Sequence, residues 1–216
     1  MKFDPSMLKV YLIGGTQDTH HDSYAYLEKV EEAMAAGITA FQYREKSEQE
    51  IQGEAKQVLG RRVVELGHKY HVPVFVDDDV DLALKIGADG IHVGQKDEAI
   101  EKVIQTADDQ LMIGYSCNTA EEIKKANSLG AVDYIGCGPV FETPSKADAD
   151  PVLGTEKLKE LNDLSKHPLV AIGGLTEDNM ADTLATGVAG LAMISMVMRS
   201  DHITQTVKDL LKLYQK

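Results

Sequence analysis

GADGIHV, residues 87–93, carries a pattern that returns twice, as GAVDYIGC at 130–137 and GVAGLAMI at 187–194. In each stretch, a glycine suited to ending a helix precedes a small residue, a tight turn and a short apolar run. Similar runs recur along the chain and predict strands at 10–13, 40–43, 74–76, 90–93, 112–115, 134–137, 169–172 and 191–194. They show little alternation, which is typical of parallel strands covered by helices.

Amphipathic stretches separate the predicted strands, for example at residues 22–36, 121–129 and 176–186. Apolar residues recur there at spacings of three and four, which is the helical period. About eight strand-then-helix units predict an α/β fold, a (β/α)8 TIM barrel, with residues 1–216 forming a single domain. A doubly wound open sheet is the alternative, because periodicity alone does not distinguish the two.

Composition narrows the class of protein. The formal net charge of −13 disfavours nucleic-acid binding, which depends on neutralising phosphates with Lys and Arg. No apolar run approaches the ~20 residues of a membrane span, and the first residues lack the pattern of a signal peptide. The two cysteines then indicate reduced thiols. We expect a cytoplasmic protein with no nucleic-acid or membrane partner, and a homo-oligomer stays open.

Polar residues gather where the predicted strands end, and in a TIM barrel the active site lies at the carboxyl ends of the strands. The candidates along the chain are Gln42, Tyr43, Arg44, Glu45, Lys46, Asp77, Asp78, Asp97, Ser116, Thr143, Pro144, Ser145, Lys146, Gly174, Ile194 and Ser195. The long stretch 138–154 is predicted to be an active-site loop. Its place and length suggest gating, and whether residues 139–153 close over substrate stays open.

Two of these strand ends suit a phosphate group. Loops after strands seven and eight form the recurrent phosphate site of this architecture, where glycine N–H groups approach the anion closely. AIGGL at 171–175 and AMIS at 192–195 fit that site. The alternative is that Gly173 and Gly174 only make a tight turn.

The segment QYREK at 42–46 offers positive charge. Alternate residues of an extended segment point the same way, so Gln42, Arg44 and Lys46 are predicted to share one side. Arg presents a planar fork to phosphate oxygens and Lys a point charge. A solvated loop, with the cations paired to neighbouring acids, is the other interpretation.

The acidic run DDDVD at 77–81 is predicted to divide by role. If Asp78 ends strand three and Asp97 follows strand four, the two carboxylates are neighbours on the barrel rim. One or two carboxylates completed by water and substrate phosphates are how Mg²⁺ is usually held. Asp79 and Asp81 fall in the first turn of the next helix, where acids cap N–H groups and complement the helix dipole. The alternative is that the whole run serves capping and solubility.

Other reactive residue types give weaker signals. His92 lies inside a predicted strand, which favours packing over catalysis, and His68 and His71 near a helix end favour a structural role. Cys117 and Cys137 lack the spacing of a zinc site.

Several blocks resemble the thiamine-phosphate synthase family, in family order from about residue 10 to 198. They are FQYREK, VDDDVDLAL, GADGIHVGQKD, IGYSCNTAEE, DYIGCGPVFETPSK, AIGGL and GLAMIS. The resemblance implies a (β/α)8 barrel and a transferase reaction. Such enzymes join 4-amino-5-hydroxymethyl-2-methylpyrimidine diphosphate to hydroxyethylthiazole phosphate or its 2-carboxylate, giving thiamine phosphate and diphosphate. In the family, Mg²⁺-assisted loss of diphosphate leaves a pyrimidinylmethyl cation, which the thiazole nitrogen captures.

The resemblance also implies residue roles. Arg44, Lys46, Ser116 and Lys146 would be catalytic, and Asp78 and Asp97 would bind one Mg²⁺. The diphosphate would lie on Arg44 and Lys46 beside Gln42. The substrate-binding set is completed by Tyr43, Glu45, Asp77, Thr143, Pro144, Ser145, Gly174, Ile194 and Ser195.

Three positions depart from the family pattern. Asp77 stands where the family usually has Asn, and an ionised Asp accepts hydrogen bonds but cannot donate them. Ser145 replaces Thr and keeps the hydroxyl. Asn118 replaces a frequent His that is catalytic in the related thiazole tautomerase. A tautomerase, or a non-catalytic thiazole-phosphate binder, is the rival prediction. Asn118 argues against the tautomerase, and the intact diphosphate and metal residues argue against both.

Overall fold

Eight parallel strands close into one barrel in the computed structural model, which describes residues 2–46, 51–143 and 151–215. The strands are β1 Val10–Gly14, β2 Ala40–Tyr43, β3 Val74–Asp77, β4 Gly90–Val93, β5 Met112–Ser116, β6 Tyr134–Cys137, β7 Leu169–Ile172 and β8 Gly190–Met193. Each pairs with its sequence neighbour, and β8 pairs with β1. The predicted TIM barrel is confirmed, and the open sheet is wrong.

Helices follow the strands and cover the outside of the barrel. They are α1 Ser23–Ala36, α2 Gly53–Tyr70, α3 Val80–Ile86, α4 Ile100–Ala107, α5 Ala120–Ala126, α6 Gly154–Leu164, α7 Met180–Ala185, α8 Ser195–Met198 and α9 Ile203–Lys212. In this described part of the chain, none is long and apolar enough to cross a membrane.

The glycine pattern holds at two of its three occurrences. Gly87 and Gly187 adopt the left-handed conformation beyond α3 and α7, with φ of 72° and 90°. Gly130 does not, because α5 ends at Ala126 and Asn127 caps it in a right-handed conformation. The prediction of a helix-ending glycine at residue 130 is therefore wrong.

The outer acids of the run 77–81 serve the helix, as predicted. The Asp79 carboxylate accepts the Leu82 N–H at 2.8 Å and caps α3, and Asp81 lies in the first turn. The end of the third strand lies one residue before Asp78, earlier than the metal-site prediction assumes. Strand β3 ends at Asp77, and Asp78 follows it with a left-handed φ of 62°.

Two apolar cores sandwich the sheet. The outer one joins the strands to the helices. The inner one fills the barrel and includes Tyr11, Phe75 and Tyr134, whose rings pack with centroids 5.5–5.9 Å apart. Glycines make room for these rings, since a Cβ on Gly90 would lie 2.3 Å from the Phe75 ring. The large aromatic rings thus fill the barrel beneath its carboxyl end.

Candidate active site

A cavity of about 500 Å³ opens at the carboxyl ends of the strands. This volume suits a small organic substrate. Residues from all the strand ends line it, and the predicted ones among them are Gln42, Arg44, Lys46, Asp77, Asp78, Asp97, Ser116, Thr143, Gly174, Ile194 and Ser195. The structure therefore gathers most of the predicted site residues around one space.

The positive wall of the cavity comes from β2 and the residues after it. Gln42, Arg44 and Lys46 face the cavity, as their alternation predicts. Arg44 Nε lies 3.2 Å from Asp77 Oδ2, and Lys46 Nζ lies 3.7 Å from the same oxygen. Lys46 also forms a close ion pair with Asp78. Burial acts against the charged form of Lys46, but its hydrogen bond to Asp78 and the negative charge of Asp77 outweigh burial and raise the pKa of Lys46.

Tyr43 and Glu45 do not reach the cavity. Tyr43 is buried in the outer core, and its hydroxyl donates to the Lys56 carbonyl. The buried Glu45 carboxylate accepts the N–H and the hydroxyl of Thr16, both at 2.7 Å. The prediction that these side chains contact substrate is not supported by this placement. Glu45 instead fastens the end of β2 to the loop after β1.

The inner acids lie close together on the adjacent wall. Burial, the neighbouring Asp77 charge and a hydrogen bond with Asp97 raise the pKa of Asp78 to about 7. At Asp97 burial acts in the same direction, but hydrogen bonds from Asp78 and the Gly94 N–H outweigh it and lower the pKa. The Gly94 nitrogen lies 2.7 Å from Asp97 Oδ2.

This pair suits a hard divalent cation. Two carboxyl groups within hydrogen-bonding distance provide the oxygen ligands that Mg²⁺ prefers, and crowding of their negative charge favours a cation between them. Within the described residues, no group of three or more His, Cys, Asp or Glu side chains could enclose a metal. Two carboxylates fit Mg²⁺ that is held partly by protein and partly by substrate or water.

The floor of the cavity holds a hydrogen-bonded series that sequence reasoning missed. His92 lines the cavity, with Nε2 2.9 Å from Ser116 Oγ and Nδ1 3.0 Å from Tyr134 Oη. Tyr134 Oη lies 2.8 Å from Tyr11 Oη, to which Gln42 Nε2 donates at 3.1 Å. We call Gln42, Tyr11, Tyr134, His92 and Ser116 the floor network. The expectation that His92 favours packing over catalysis stays a prediction, and the structure adds two hydrogen bonds to its ring.

Further cavity residues stabilise the loops after β4, β5 and β6. Gln95 donates to the Ser116 carbonyl at 2.7 Å, and its amide oxygen accepts the Tyr115 hydroxyl at 2.8 Å. Asn118 Oδ1 accepts the Gly138 N–H at 2.9 Å. Spacing within single strands did not indicate these contacts, because each joins different loops.

The loops after β7 and β8 form the wall opposite the acids. Gly173 and Gly174 have left-handed φ of 99° and 65°. A Cβ on Gly174 would lie 2.5 Å from the Glu142 carbonyl oxygen, so the loop after β6 packs directly on this backbone. Phe141 also donates its N–H to the Gly173 carbonyl at 3.0 Å. Gly173 and Gly174 thus make a tight turn and also line the cavity. Ile194 and Ser195, which follow β8, line the same wall.

The loop after β6 is only partly described. Thr143 lines the cavity, and Leu153 and Gly154 return to bond the carbonyls of Pro139 and Val140. The candidates Pro144, Ser145 and Lys146 lie outside the described residues. Their predicted roles, and the predicted gating by this loop, stay predictions.

Comparison with known proteins is consistent with this geometry. The family profile described as thiamine monophosphate synthase matches residues 10–197. Thiamine-phosphate synthase of Limosilactobacillus fermentum is 56% identical over 99% of this chain and 100% of its own length. The enzyme of the same name from Limosilactobacillus reuteri is 52% identical over the whole of both chains.

A solved structure agrees with the sequence relatives. Thiamine phosphate pyrophosphorylase from Pyrococcus furiosus superposes with a TM-score of 0.85 at 34% identity, covering 98% of this chain and 97% of that one. Matches of this extent span the barrel and every strand end that lines the cavity. The chain therefore belongs to the thiamine monophosphate synthase family.

Proposed function

We propose that the cavity joins a pyrimidine diphosphate to a thiazole phosphate, with the diphosphate on Arg44 and Lys46 and one Mg²⁺ on Asp78 and Asp97. Membership of the family makes thiamine-phosphate synthesis the chain's reaction and the chain a transferase. The observation that carries the residue assignment is the cluster of two cations and three carboxylates on one side of the cavity. Such a cluster suits a diphosphate and its metal together.

The first step breaks the bond between the pyrimidine methylene carbon and the diphosphate oxygen. The bonding electrons leave with that oxygen, so negative charge grows on the diphosphate while the carbon becomes cationic. Arg44 and Lys46 would stabilise the growing charge, which is electrostatic catalysis by preorganised donors. Bound Mg²⁺ would supply Lewis-acid neutralisation of the same charge.

Lys46 has two roles in this scheme: it pairs with the carboxylates of Asp77 and Asp78, and it binds the diphosphate. In the structure its ammonium neutralises Asp78 and lies 3.7 Å from Asp77. When a metal and a diphosphate are bound, Lys46 would release Asp78 and turn to the diphosphate oxygens. Asp77 holds Arg44 Nε at 3.2 Å and so keeps the guanidinium beside the cavity.

The second step forms a carbon–nitrogen bond. The thiazole nitrogen donates its lone pair to the cationic methylene carbon, and no side-chain nucleophile is required. The thiazole phosphate would lie on the Gly174 and Ser195 backbone beside Thr143, where strand-end loops of this fold commonly bind phosphate. Ser116 and Gln42 would hold the pyrimidine at the floor, and Lys146 would stabilise the departing charge.

The test is product formation from the two purified substrates, with Mg²⁺ and with excess chelator. We expect thiamine phosphate only with Mg²⁺. Asp78→Ala should lower turnover by roughly a hundredfold or more, because charge stabilisation at the leaving group is lost. Asp81→Ala is the matched control, since Asp81 is exposed and lies in the first turn of α3.

Binding of the thiazole phosphate separates the proposal from its rivals. Asp78→Ala should still bind it, because the proposed phosphate wall is formed by other loops. Equal loss of turnover and thiazole binding would show that Asp78 is misassigned. Binding of the thiazole phosphate by the wild type, without product under either metal condition, would favour a tautomerase or a non-catalytic binder.

A further inference from the structure

The floor network connects two walls of the cavity through the interior of the barrel. Gln42 on β2 and Ser116 on β5 are its ends, and both line the cavity. Between them lie Tyr11, Tyr134 and His92, each in hydrogen-bonding distance of the next. The orientation of one end is thereby linked to the orientation of the other.

One consistent order of donation along these hydrogen bonds starts from the amide at one end. An amide nitrogen can only donate, so the Gln42 NH₂ makes Tyr11 Oη an acceptor. Either phenol could donate between the two tyrosines; in the order that continues from Gln42, the Tyr11 proton goes to Tyr134 Oη and the Tyr134 proton goes to His92 Nδ1. A neutral imidazole that accepts at Nδ1 carries its proton on Nε2, which donates to Ser116 Oγ.

Burial keeps both phenols in the protonated form that this order requires. Tyr11 and Tyr134 are fully enclosed in the inner core. Burial is the main cause that raises the pKa of each phenol well above the ordinary value. Each tyrosine therefore has one proton to donate throughout the neutral pH range.

Packing holds the imidazole in the same place. A Cβ on Gly114 would lie 2.4 Å from His92 Nδ1, and one on Gly136 would lie 2.9 Å from His92 Cε1. The Gly114 position would also meet the Tyr134 ring at 2.2 Å. Two strands thus leave out side chains where the His92 ring and its Tyr134 partner lie.

We propose that His92 is a positioning residue, fixed as the Nε2–H tautomer, that donates to Ser116 Oγ and so directs the Ser116 O–H into the cavity. The proposal rests on the proposed function for its consequence, which is that Ser116 donates to the pyrimidine diphosphate. If the Gln42 amide were turned over, every bond would reverse. His92 would then carry its proton on Nδ1, and Ser116 would face the substrate as an acceptor.

The tautomer can be measured directly. In protein labelled with ¹⁵N-histidine, long-range proton–nitrogen NMR distinguishes a protonated ring nitrogen from an unprotonated one. The His92 signals are assigned by their absence in His92→Gln. We expect Nε2 protonated and Nδ1 unprotonated in the wild type. A protonated Nδ1 would overturn the proposal.

Variants test whether Tyr134 sets this state. Tyr134→Phe removes the donor to Nδ1 and should increase the population with a protonated Nδ1. Tyr26→Phe is the matched control, because Tyr26 is equally buried and its hydroxyl bonds the Gly14 carbonyl outside the network. An unchanged His92 spectrum in Tyr134→Phe would contradict the proposal.

Turnover provides the second readout. Tyr134→Phe should lower kcat about fivefold to tenfold, the effect of one hydrogen bond, without changing the KM of the thiazole phosphate. His92→Gln keeps an N–H donor and should retain more activity than His92→Leu. Equal activity of His92→Leu and wild type would overturn the positioning role. Absence of product in the wild type would refute the proposed function instead, and the NMR result would still decide the tautomer.

Discussion

By its resemblance to the family, this chain carries Asp77 where Asn is usual, and the structure gives that carboxylate a physical role. Its carboxylate lies within 3.2 Å of Arg44 and 3.7 Å of Lys46, the two cations proposed to bind diphosphate. A third anion in that place competes with the substrate for the same positive charge. It also orients the guanidinium before substrate arrives.

Competition between Asp77 and the substrate diphosphate for Arg44 and Lys46 predicts the effect of Asp77→Asn. Removing the charge should tighten binding of the pyrimidine diphosphate and of inorganic diphosphate, about threefold to tenfold, because a repulsive partly screened charge is lost. The measurements are the KM and the inhibition constant of diphosphate.

Asp79→Asn is the charge-matched control for that variant. Asp79 is exposed and caps α3, and Asn caps a helix as well as Asp does. It should leave both constants unchanged. Weaker diphosphate binding in Asp77→Asn would show instead that Asp77 is needed to orient Arg44.

Burial sets the reactivity of the two cysteine thiols, because it raises the pKa of each. Cys117 and Cys137 are fully buried, and burial raises the pKa of Cys137 to about 12. At pH 8 its thiolate fraction is on the order of one in ten thousand. We expect neither thiol to react with a disulfide reagent in native protein, and both to react in guanidinium. Rapid labelling of the native protein would contradict this.

At the scale of elements, glycines decide how closely the strands and their side chains pack. Gly90→Ala should lower the free energy of unfolding by about 1–3 kcal/mol, because the new methyl would overlap the Phe75 ring. Gly130→Ala is the control, since nothing lies within 4 Å of its Cβ position and its φ is not left-handed. That change should stay within roughly 0.5 kcal/mol of wild type. Urea unfolding measures both, and equal values would refute the packing argument.

Alternation along an element explains what the sequence could predict at the site and what it could not. It places Gln42, Arg44 and Lys46 on one side, and it equally turns Tyr43 and Glu45 away from the cavity. The family resemblance places Tyr43 and Glu45 in the substrate-binding set, but their side chains point away from the cavity, which argues against direct contact with substrate.

His92 shows the opposite case. Its position inside a strand favoured packing, whereas its hydrogen-bond partners come from β5 and β6. Those partners become neighbours only through the strand register, in which His92 lies beside Gly114 and Gly114 beside Tyr134. Sequence patterns within one strand carry no information about register between strands. The floor network could not have been predicted for that reason.

At the scale of the whole molecule, the last helix completes the shell around the barrel. Helix α9 packs on α1, burying Ile203, Val207 and Leu210. Thr204 also donates both its N–H and its hydroxyl to Glu32 on α1. The barrel is closed by β1 and β8, so the element that covers β1 protects the closing pair.

Removal of residues 203–216 should therefore cost most of the stability. Burial of three large aliphatic side chains contributes about 5–9 kcal/mol, which is comparable to the whole stability of a typical domain. We expect the shortened chain to lose its cooperative thermal transition. The control is a chain lacking only its last two residues. A shortened chain that melts like the wild type would show that α9 is dispensable.

The aromatic filling of the barrel has a consequence for the order of events in a reaction with two substrates. Tyr11, Phe75 and Tyr134 occupy the interior directly beneath the cavity, so molecules come and go at the carboxyl face. A ligand seated on the floor lies behind one seated at the loops. The pyrimidine diphosphate should then enter before the thiazole phosphate, and kinetics with both substrates varied should follow an ordered scheme. The filled interior would thus impose an order of binding, in which the deeper of the two binding sites is occupied first.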